Sequence, residues 1–185
     1  MKKLPFLAIA ALAVLSSSVV VAATSPASDY YAAERLFSSG KFREAIPLYQ
    51  RSLSAPPDKL TAGDVHGRIG DTYFRLADYG NALDAYRKAI KDQRTADRPQ
   101  TQYWIGFCCF LIGRDAEAVD ELLKVPALYP DAKAWGSTSY YWAGRASERM
   151  GKKEQAAEYY RKAGGSGKST QGKFAQKKAE AVKDK

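Results

Sequence analysis

The fold of this chain is clearest in residues 70–89, which read GDTYFRLADYGNALDAYRKA. Two small residues, Gly70 and Ala82, stand twelve positions apart, and the large Tyr86 follows one helical turn after Ala82. The dipeptide Ala-Asp at 77–78 is a turn signal, so the stretch predicts two helices joined by a short turn. Glycine and alanine carry almost no side chain, so the helices can approach closely there while the tyrosine ring fills the adjoining space.

This pattern occurs four times along the chain, at spacings of 37, 36 and 38 residues. The first small residue of each copy is Ala33, Gly70, Gly106 or Gly144. The second small residue, twelve positions later, is Ala45, Ala82, Ala118 or Ala156. The large residue that follows is Tyr49, Tyr86, Leu122 or Tyr160. One helix pair cannot bury its apolar side alone, so neighbouring pairs must stack. The pattern predicts an all-α domain over 24–163, with units at about 26–59, 63–96, 99–130 and 137–163.

The pattern resembles the tetratricopeptide repeat, most closely in residues 70–89 and 144–163. These units are longer than the family's usual repeat of about 34 residues. The resemblance implies a right-handed α-solenoid of about four helix-turn-helix units. It also implies a concave wall, formed by the first helix of each unit, that holds an extended peptide or a partner helix. Two residues depart from the pattern, because Pro47 and Pro126 fall inside second helices and are expected to bend or shorten them.

The N-terminal residues 1–23 have the pattern of a secretory signal peptide. Lys2 and Lys3 precede a long apolar run that ends in small residues, which predicts cleavage after Ala23 and export to the periplasm. No cysteine stands at the cleavage point, so a lipoprotein is not expected. A membrane anchor is the alternative, since the apolar run approaches the roughly 18 residues needed to span a bilayer. The serines at 16–18 interrupt that run, and no charged stop-transfer cluster follows.

The basic residues are concentrated at the C-terminus. Of the formal charge of +9, residues 164–185 contribute four units, with six lysines against Glu180 and Asp184. Residues 164–172 read as a Gly/Ser linker, and residues 173–185 as a basic helix or tail. Within that tail, residues 173–183 are expected to cap the last repeat. An exported protein rarely meets nucleic acid, so a nucleic-acid partner is not expected. The tail is therefore expected either to contact anionic glycans or lipid headgroups, or simply to keep the protein soluble.

A stripe on the first helices is the candidate groove, because helix stacking does not require that face. The residues selected are Tyr30, Glu34, Phe37, Asp71, Phe74, Arg75, Tyr103, Phe107, Phe110, Tyr141, Arg145 and Arg149. Aromatic rings provide large contact area at low entropic cost, which suits partner recognition. The alternative is that several of these rings, particularly in the third unit, belong to the core. The charges differ in sign between the two ends of the stripe, so a partner would be held in one direction.

No catalytic, metal or cofactor site is predicted. The only histidine, His66, has no companion ligand, and the adjacent Cys108 and Cys109 read as small apolar residues. Residues 164–170 resemble half of a phosphate loop but lack its first glycine and a preceding strand.

The predicted function is that of a periplasmic adaptor that binds a peptide or helix of an envelope protein. The alternative is a basic module that binds peptidoglycan or another anionic envelope polymer. Residues 140–146 also look like the helical superstructure of lytic transglycosylases, but a catalytic domain is absent from the sequence.

Overall fold

The computed structural model describes residues 25–165 and 170–183, and these residues form nine α-helices and one short 3₁₀ turn with no strand. The first four helices are α1 (Pro26–Ser38), α2 (Phe42–Ser52), α3 (Ala62–Arg75) and α4 (Tyr79–Asp92). The 3₁₀ turn (Thr95–Asp97) and five further helices follow: α5 (Arg98–Leu111), α6 (Asp115–Leu128), α7 (Lys133–Arg149), α8 (Lys153–Gly164) and α9 (Thr170–Lys183). The predicted signal peptide lies outside the described residues.

Successive helices pack on one another in chain order, so that α1–α2, α3–α4, α5–α6 and α7–α8 form four hairpins. The hairpins stack into a right-handed α-solenoid, which confirms the predicted fold class. Helix α7 begins at Lys133, and near its start Trp135 packs on the ring of Tyr103, with the ring centroids 5.2 Å apart. None of the helices in the described part of the chain combines the length and hydrophobicity that crossing a bilayer requires.

Close approach at the aligned small residues holds each hairpin together. A Cβ atom added to Gly70 would lie 2.6 Å from the ring of Tyr86, and one added to Gly106 would lie 2.6 Å from Leu122. The corresponding distance from Gly144 to the ring of Tyr160 is 2.8 Å. The alanines of the second helices are fully buried at the same joints, namely Ala45, Ala82, Ala118 and Ala156. The predicted pairing of small and large residues is confirmed.

The turn inside each hairpin contains one residue with positive φ, seven positions after the aligned small residue. Gly40, Gly113 and Gly151 occupy it with φ of 75°, 82° and 76°. In the second repeat the residue is Ala77, with φ of 58°. A side chain in this left-handed region is sterically unfavourable, so the second turn carries strain that the glycine turns avoid.

The two prolines have different effects on helix length. Helix α2, which contains Pro47, has 11 residues and is the shortest α-helix in the described ranges. Helix α6 keeps 14 residues although it contains Pro126. Pro126 falls in the last turn, where it removes one hydrogen bond, and the backbone N–H of Tyr129 still donates to Val125 O at 2.9 Å. The expected shortening therefore occurs in α2 and not in α6.

Helix α9 covers the end of the array. Ala175, Ala179 and Val182 are buried, and a Cβ atom added to Gly164 would lie 2.9 Å from Cγ of Gln176. The helix begins at Thr170, inside the stretch predicted as a linker. Residues 166–169 lie outside the described residues.

Candidate functional site

The candidate site is the surface formed by α1, α3, α5 and α7, which we call the first-helix face. All twelve residues selected from the sequence lie on these four helices. The structure gives them different roles. The carboxylates form hydrogen bonds inside the fold, the aromatic rings differ in how much of their surface is exposed, and the cations lie mainly at the fourth repeat.

The two predicted groove carboxylates each accept a hydrogen bond from a tyrosine hydroxyl of the same hairpin. Tyr49 donates to Glu34 Oε1 at 2.5 Å, and Tyr86 donates to Asp71 Oδ1 at 2.9 Å. In the third repeat the equivalent positions hold an apolar pair, Phe107 and Leu122. Glu34 and Asp71 therefore have a structural role, because they accept hydrogen bonds from tyrosine hydroxyls that helix packing buries.

Arg68, which is not among the twelve residues predicted from the sequence, links the first two repeats. Its Nε and Nη2 atoms donate to the two carboxylate oxygens of Glu34, both at 2.7 Å, and its Nη1 donates to Asp71 at 3.2 Å. Burial pushes the pKa of Glu34 upward, but hydrogen bonds from Arg68 and Tyr49 outweigh it, so the pKa is lowered from 4.5. Burial raises the pKa of Asp71 above 3.8 despite its hydrogen bond from Tyr86.

An aromatic cluster fills the middle of the first-helix face. We call Phe74, Trp104, Phe107 and Trp142 the aromatic floor; all four are partly exposed. The ring centroids of Phe74 and Trp104 are 4.8 Å apart, and those of Phe107 and Trp142 are 4.5 Å apart. The centroids of Phe74 and Phe107 are 6.1 Å apart, so the four rings form one connected surface.

Tyr103 and Phe110, both selected as groove residues, are buried, with 6% and 8% of their surface exposed. Trp135 covers Tyr103, and the guanidinium of Arg149 lies 4.0 Å from the ring centroid of Phe110. Both rings therefore lie in the core and not on an open groove, as the alternative for the third-unit rings expects. Trp104 and Trp142 were missed. Each stands two positions before an aligned glycine, and this recurrence of tryptophan is the sequence pattern that indicates their place on the first-helix face.

A polar cavity of about 200 Å³ lies at the N-terminal end of the aromatic floor. Asp64, Arg68, Asp71 and Arg94 are among its lining residues, together with Trp104. The indole Nε1 of Trp104 is buried and has no hydrogen-bond acceptor in the described part of the chain. A hydrogen-bond acceptor from a bound molecule would satisfy that donor.

A second cavity, of about 230 Å³, lies at the C-terminal end of the floor, and we call it the basic pocket. It is lined by Phe110, Arg145, Glu148, Arg149 and Lys178. Lys178 belongs to α9, so the capping helix contributes to the first-helix face, which the sequence analysis did not anticipate. Three cations against one carboxylate make this end of the face suited to an anionic group.

The remaining selected residues occupy the edges of the face. Tyr30 stacks edge-on against Tyr49 at 5.7 Å, and Phe37 lies beneath the guanidinium of Arg68 at 4.4 Å. Arg75 is exposed, with its guanidinium 5.1 Å from the ring of Phe42.

Tyr141 is partly exposed in the fourth repeat. It contacts Tyr160 at 5.7 Å and Phe174 of α9 at 6.2 Å.

The cysteines and the histidine are not among the first-helix residues selected above. Burial raises the pKa of the Cys108 thiol to about 12 and that of Cys109 to about 11, so both are protonated and unreactive near neutral pH. Burial, aided by Lys88, lowers the pKa of His66. No group of three or more potential metal ligands occurs in the ranges that the structure covers.

Comparisons with known proteins agree with this architecture. Models of the tetratricopeptide repeat match residues 30–62, 68–133 and 137–163. Among solved structures, the chain is similar to MamA from Desulfovibrio magneticus RS-1, with a TM-score of 0.64 and 20% identity, over 87% of this chain and 93% of that one. It is also similar to a tetratricopeptide repeat protein from Parabacteroides merdae, with a TM-score of 0.71 and 12% identity, over 86% of this chain and 60% of that one. No curated protein matches the sequence. The chain belongs to the tetratricopeptide repeat family.

Proposed function

We propose that this protein is a periplasmic adaptor that binds a peptide or helix of an envelope protein along its first-helix face. The observation that carries this proposal is the aromatic floor, in which four partly exposed rings form a connected surface between two cavities. Partly exposed aromatic rings bind well because they bury much apolar area while losing few rotamers. Tetratricopeptide proteins bind protein partners, so noncovalent association is the expected work of this surface.

The periplasmic location rests on residues 1–23, whose basic start, apolar run and small terminal residues are typical of a signal peptide. A fusion of residues 1–23 to a reporter that is active only after export would test this. Replacing the apolar run with polar residues should abolish reporter activity. Activity that survives this replacement would contradict the proposed route.

Photocrosslinking in living cells tests the adaptor function. A photoreactive amino acid at Phe74 lies on the aromatic floor, whereas one at Asp84 lies on an exposed second-helix position of the same repeat. We expect one defined envelope protein to be captured from Phe74 and not from Asp84. Substitution of Trp104 by alanine should reduce that capture, because it removes a neighbouring ring of the floor. Equal capture from both positions would refute the groove.

The distribution of charge favours a second candidate function. Residues 133–185 contain thirteen basic and five acidic side chains, whereas residues 24–132 contain fourteen and fifteen. This asymmetry suits binding of an anionic glycan such as peptidoglycan by the C-terminal part. Added salt separates the two candidates, because lysine-driven glycan binding should be lost at high ionic strength while aromatic peptide binding should be largely retained.

A further inference from the structure

The residue directly after the aligned small residue differs among the four repeats, and in the fourth repeat, where it is Arg145, it lacks the structural role that it has in the others. In the first two repeats this residue is Glu34 or Asp71, and each accepts a tyrosine hydroxyl. In the third it is Phe107, part of the aromatic floor. In the fourth it is Arg145, and the tyrosine of that hairpin, Tyr160, donates to Glu148 at 2.7 Å instead. The hairpin therefore does not need Arg145 for the role that the equivalent residues have.

The charges around Arg145 are otherwise paired. Lys178 lies 3.3 Å from Glu148, and Arg149 forms an ion pair with Asp115. Arg149 also donates through Nη2 to the carbonyl oxygen of Phe110 at 2.6 Å, which fixes its guanidinium.

The guanidinium of Arg145 lies 5.9 Å from the ring centroid of Trp142. Hydrogen bonding to Tyr141 and the nearby charge of Glu148 raise the pKa of Arg145. Arg145 has no carboxylate within ion-pair distance in the described ranges. Glu148 is the one carboxylate that lines the pocket and it pairs with Lys178, so the pocket keeps a net positive charge at Arg145.

We propose that the basic pocket is a carboxylate-binding site, in which Arg145 receives an acidic side chain of the bound partner segment. This inference rests on the proposed function, and it specifies the chemistry of the partner: an acidic residue is held at the fourth repeat while its neighbours lie on the aromatic floor. The planar guanidinium can donate two parallel hydrogen bonds to a carboxylate, which gives direction as well as affinity. Lys178 of α9 lines the same pocket and pairs with Glu148, which leaves Arg145 to receive the partner's carboxylate.

The test uses the full mature chain and an oligoglutamate peptide blocked at both ends and labelled with an uncharged dye. A blocked oligoglutamine peptide of the same length is the control, and an oligoglutamine peptide with a free C-terminal carboxylate is the third arm. Binding is followed by fluorescence anisotropy and by the indole signal of Trp142, which lies beside Arg145. We expect the oligoglutamate to bind and to shift that indole signal.

The matched variants are Arg145→Gln and Arg161→Gln. Both lose one positive charge from the fourth repeat, but Arg161 is an exposed residue of α8 and does not line the basic pocket. We expect Arg145→Gln to weaken oligoglutamate binding about tenfold and to abolish the indole shift. Arg161→Gln should change the affinity less than about twofold. Circular dichroism confirms that both variants are folded.

Equal weakening by both variants would show a diffuse electrostatic effect and overturn the site. Binding of only the peptide with a free C-terminus would show that the pocket takes a chain terminus, and would overturn the assignment to side chains. Failure of this test while crosslinking from Phe74 still captures one protein would refute the carboxylate site and leave the adaptor function standing.

Discussion

Replacement of Gly70 by alanine should destabilise the protein, although alanine is the better helix former. The added Cβ atom would lie 2.6 Å from ring carbons of Tyr86, and the ring is held by its burial and by its hydrogen bond to Asp71. Forcing an extra methyl group into such a joint costs about 1–3 kcal/mol, and displacing the hydroxyl from a carboxylate adds roughly 1.5 kcal/mol. The higher helix propensity of alanine offsets about 1 kcal/mol of this cost. We expect a net loss of about 1.5–3.5 kcal/mol in the free energy of unfolding.

Two other glycines provide the comparison. Gly80 lies in α4 with nothing within 4 Å of an added Cβ atom, so Gly80→Ala should stabilise by about 0.5 kcal/mol. Gly63 faces backbone atoms of the α4 C-terminus, with Gln93 N at 2.4 Å. Backbone cannot rotate away as a side chain can, so Gly63→Ala should be the most damaging of the three.

Urea unfolding followed by circular dichroism measures the order of the three variants. We expect the midpoint to rise for Gly80→Ala, to fall for Gly70→Ala, and to fall furthest for Gly63→Ala. A stabilised Gly70→Ala variant would refute the reasoning, because it would show that the helices of the second repeat are not in contact at that residue.

Three further predictions concern the turns, an ion pair and the thiols. Ala77→Gly should raise the midpoint of thermal unfolding, because glycine tolerates a positive φ, and it should stabilise the fold by about 0.5–1 kcal/mol. Gly113→Ala should destabilise the fold by a similar energy and lower the midpoint. An unchanged midpoint in both variants would contradict the positive φ assigned to these turns. The folded pKa of Glu34 is lowered, so its stabilising contribution is complete above its ordinary pKa of 4.5 and is lost as pH falls through the folded value. Unfolding measured between neutral and acid pH should show this loss in the wild type and a smaller one in Glu34→Gln, and equal losses would argue against the pairing. Cys108 and Cys109 should resist alkylation at mildly alkaline pH until urea unfolds the chain, as counted by mass spectrometry, and rapid labelling of the folded protein would contradict their burial.

The architecture could be predicted from sequence because the residues that make the helix contacts recur at regular spacing. A small residue, a second small residue and a large residue recur at nearly constant spacing, and each recurrence corresponds to one contact between two helices. Local signals were sufficient for the hairpins, since Gly40, Gly113 and Gly151 mark three of the four turns directly. Ala77 shows that even the exception could be placed by alignment with the other repeats.

The site was predicted less well, because helical geometry gives the face of a residue but not its partner. Glu34 and Asp71 were assigned to the correct face, yet their roles depend on tyrosine hydroxyls that reach them from the second helix. Tyr103 and Phe110 lie on that face too, but side chains from α7, in the next repeat, cover them. Such coverage depends on how adjacent repeats pack, and the periodicity within one repeat carries no information about it.

Apolar packing is continuous along the array, and this continuity has a mechanical consequence. Large side chains pack against small residues inside each hairpin, and aromatic rings such as Phe74 and Trp104 pack between successive repeats. Ion pairs such as Arg68–Glu34 add to the same joins. Dissolved ions screen partly exposed ion pairs but hardly affect buried packing. The molecule should therefore keep its curvature in concentrated salt, and only the share of its bending stiffness that comes from ion pairs should vary with the ionic composition of the surrounding fluid.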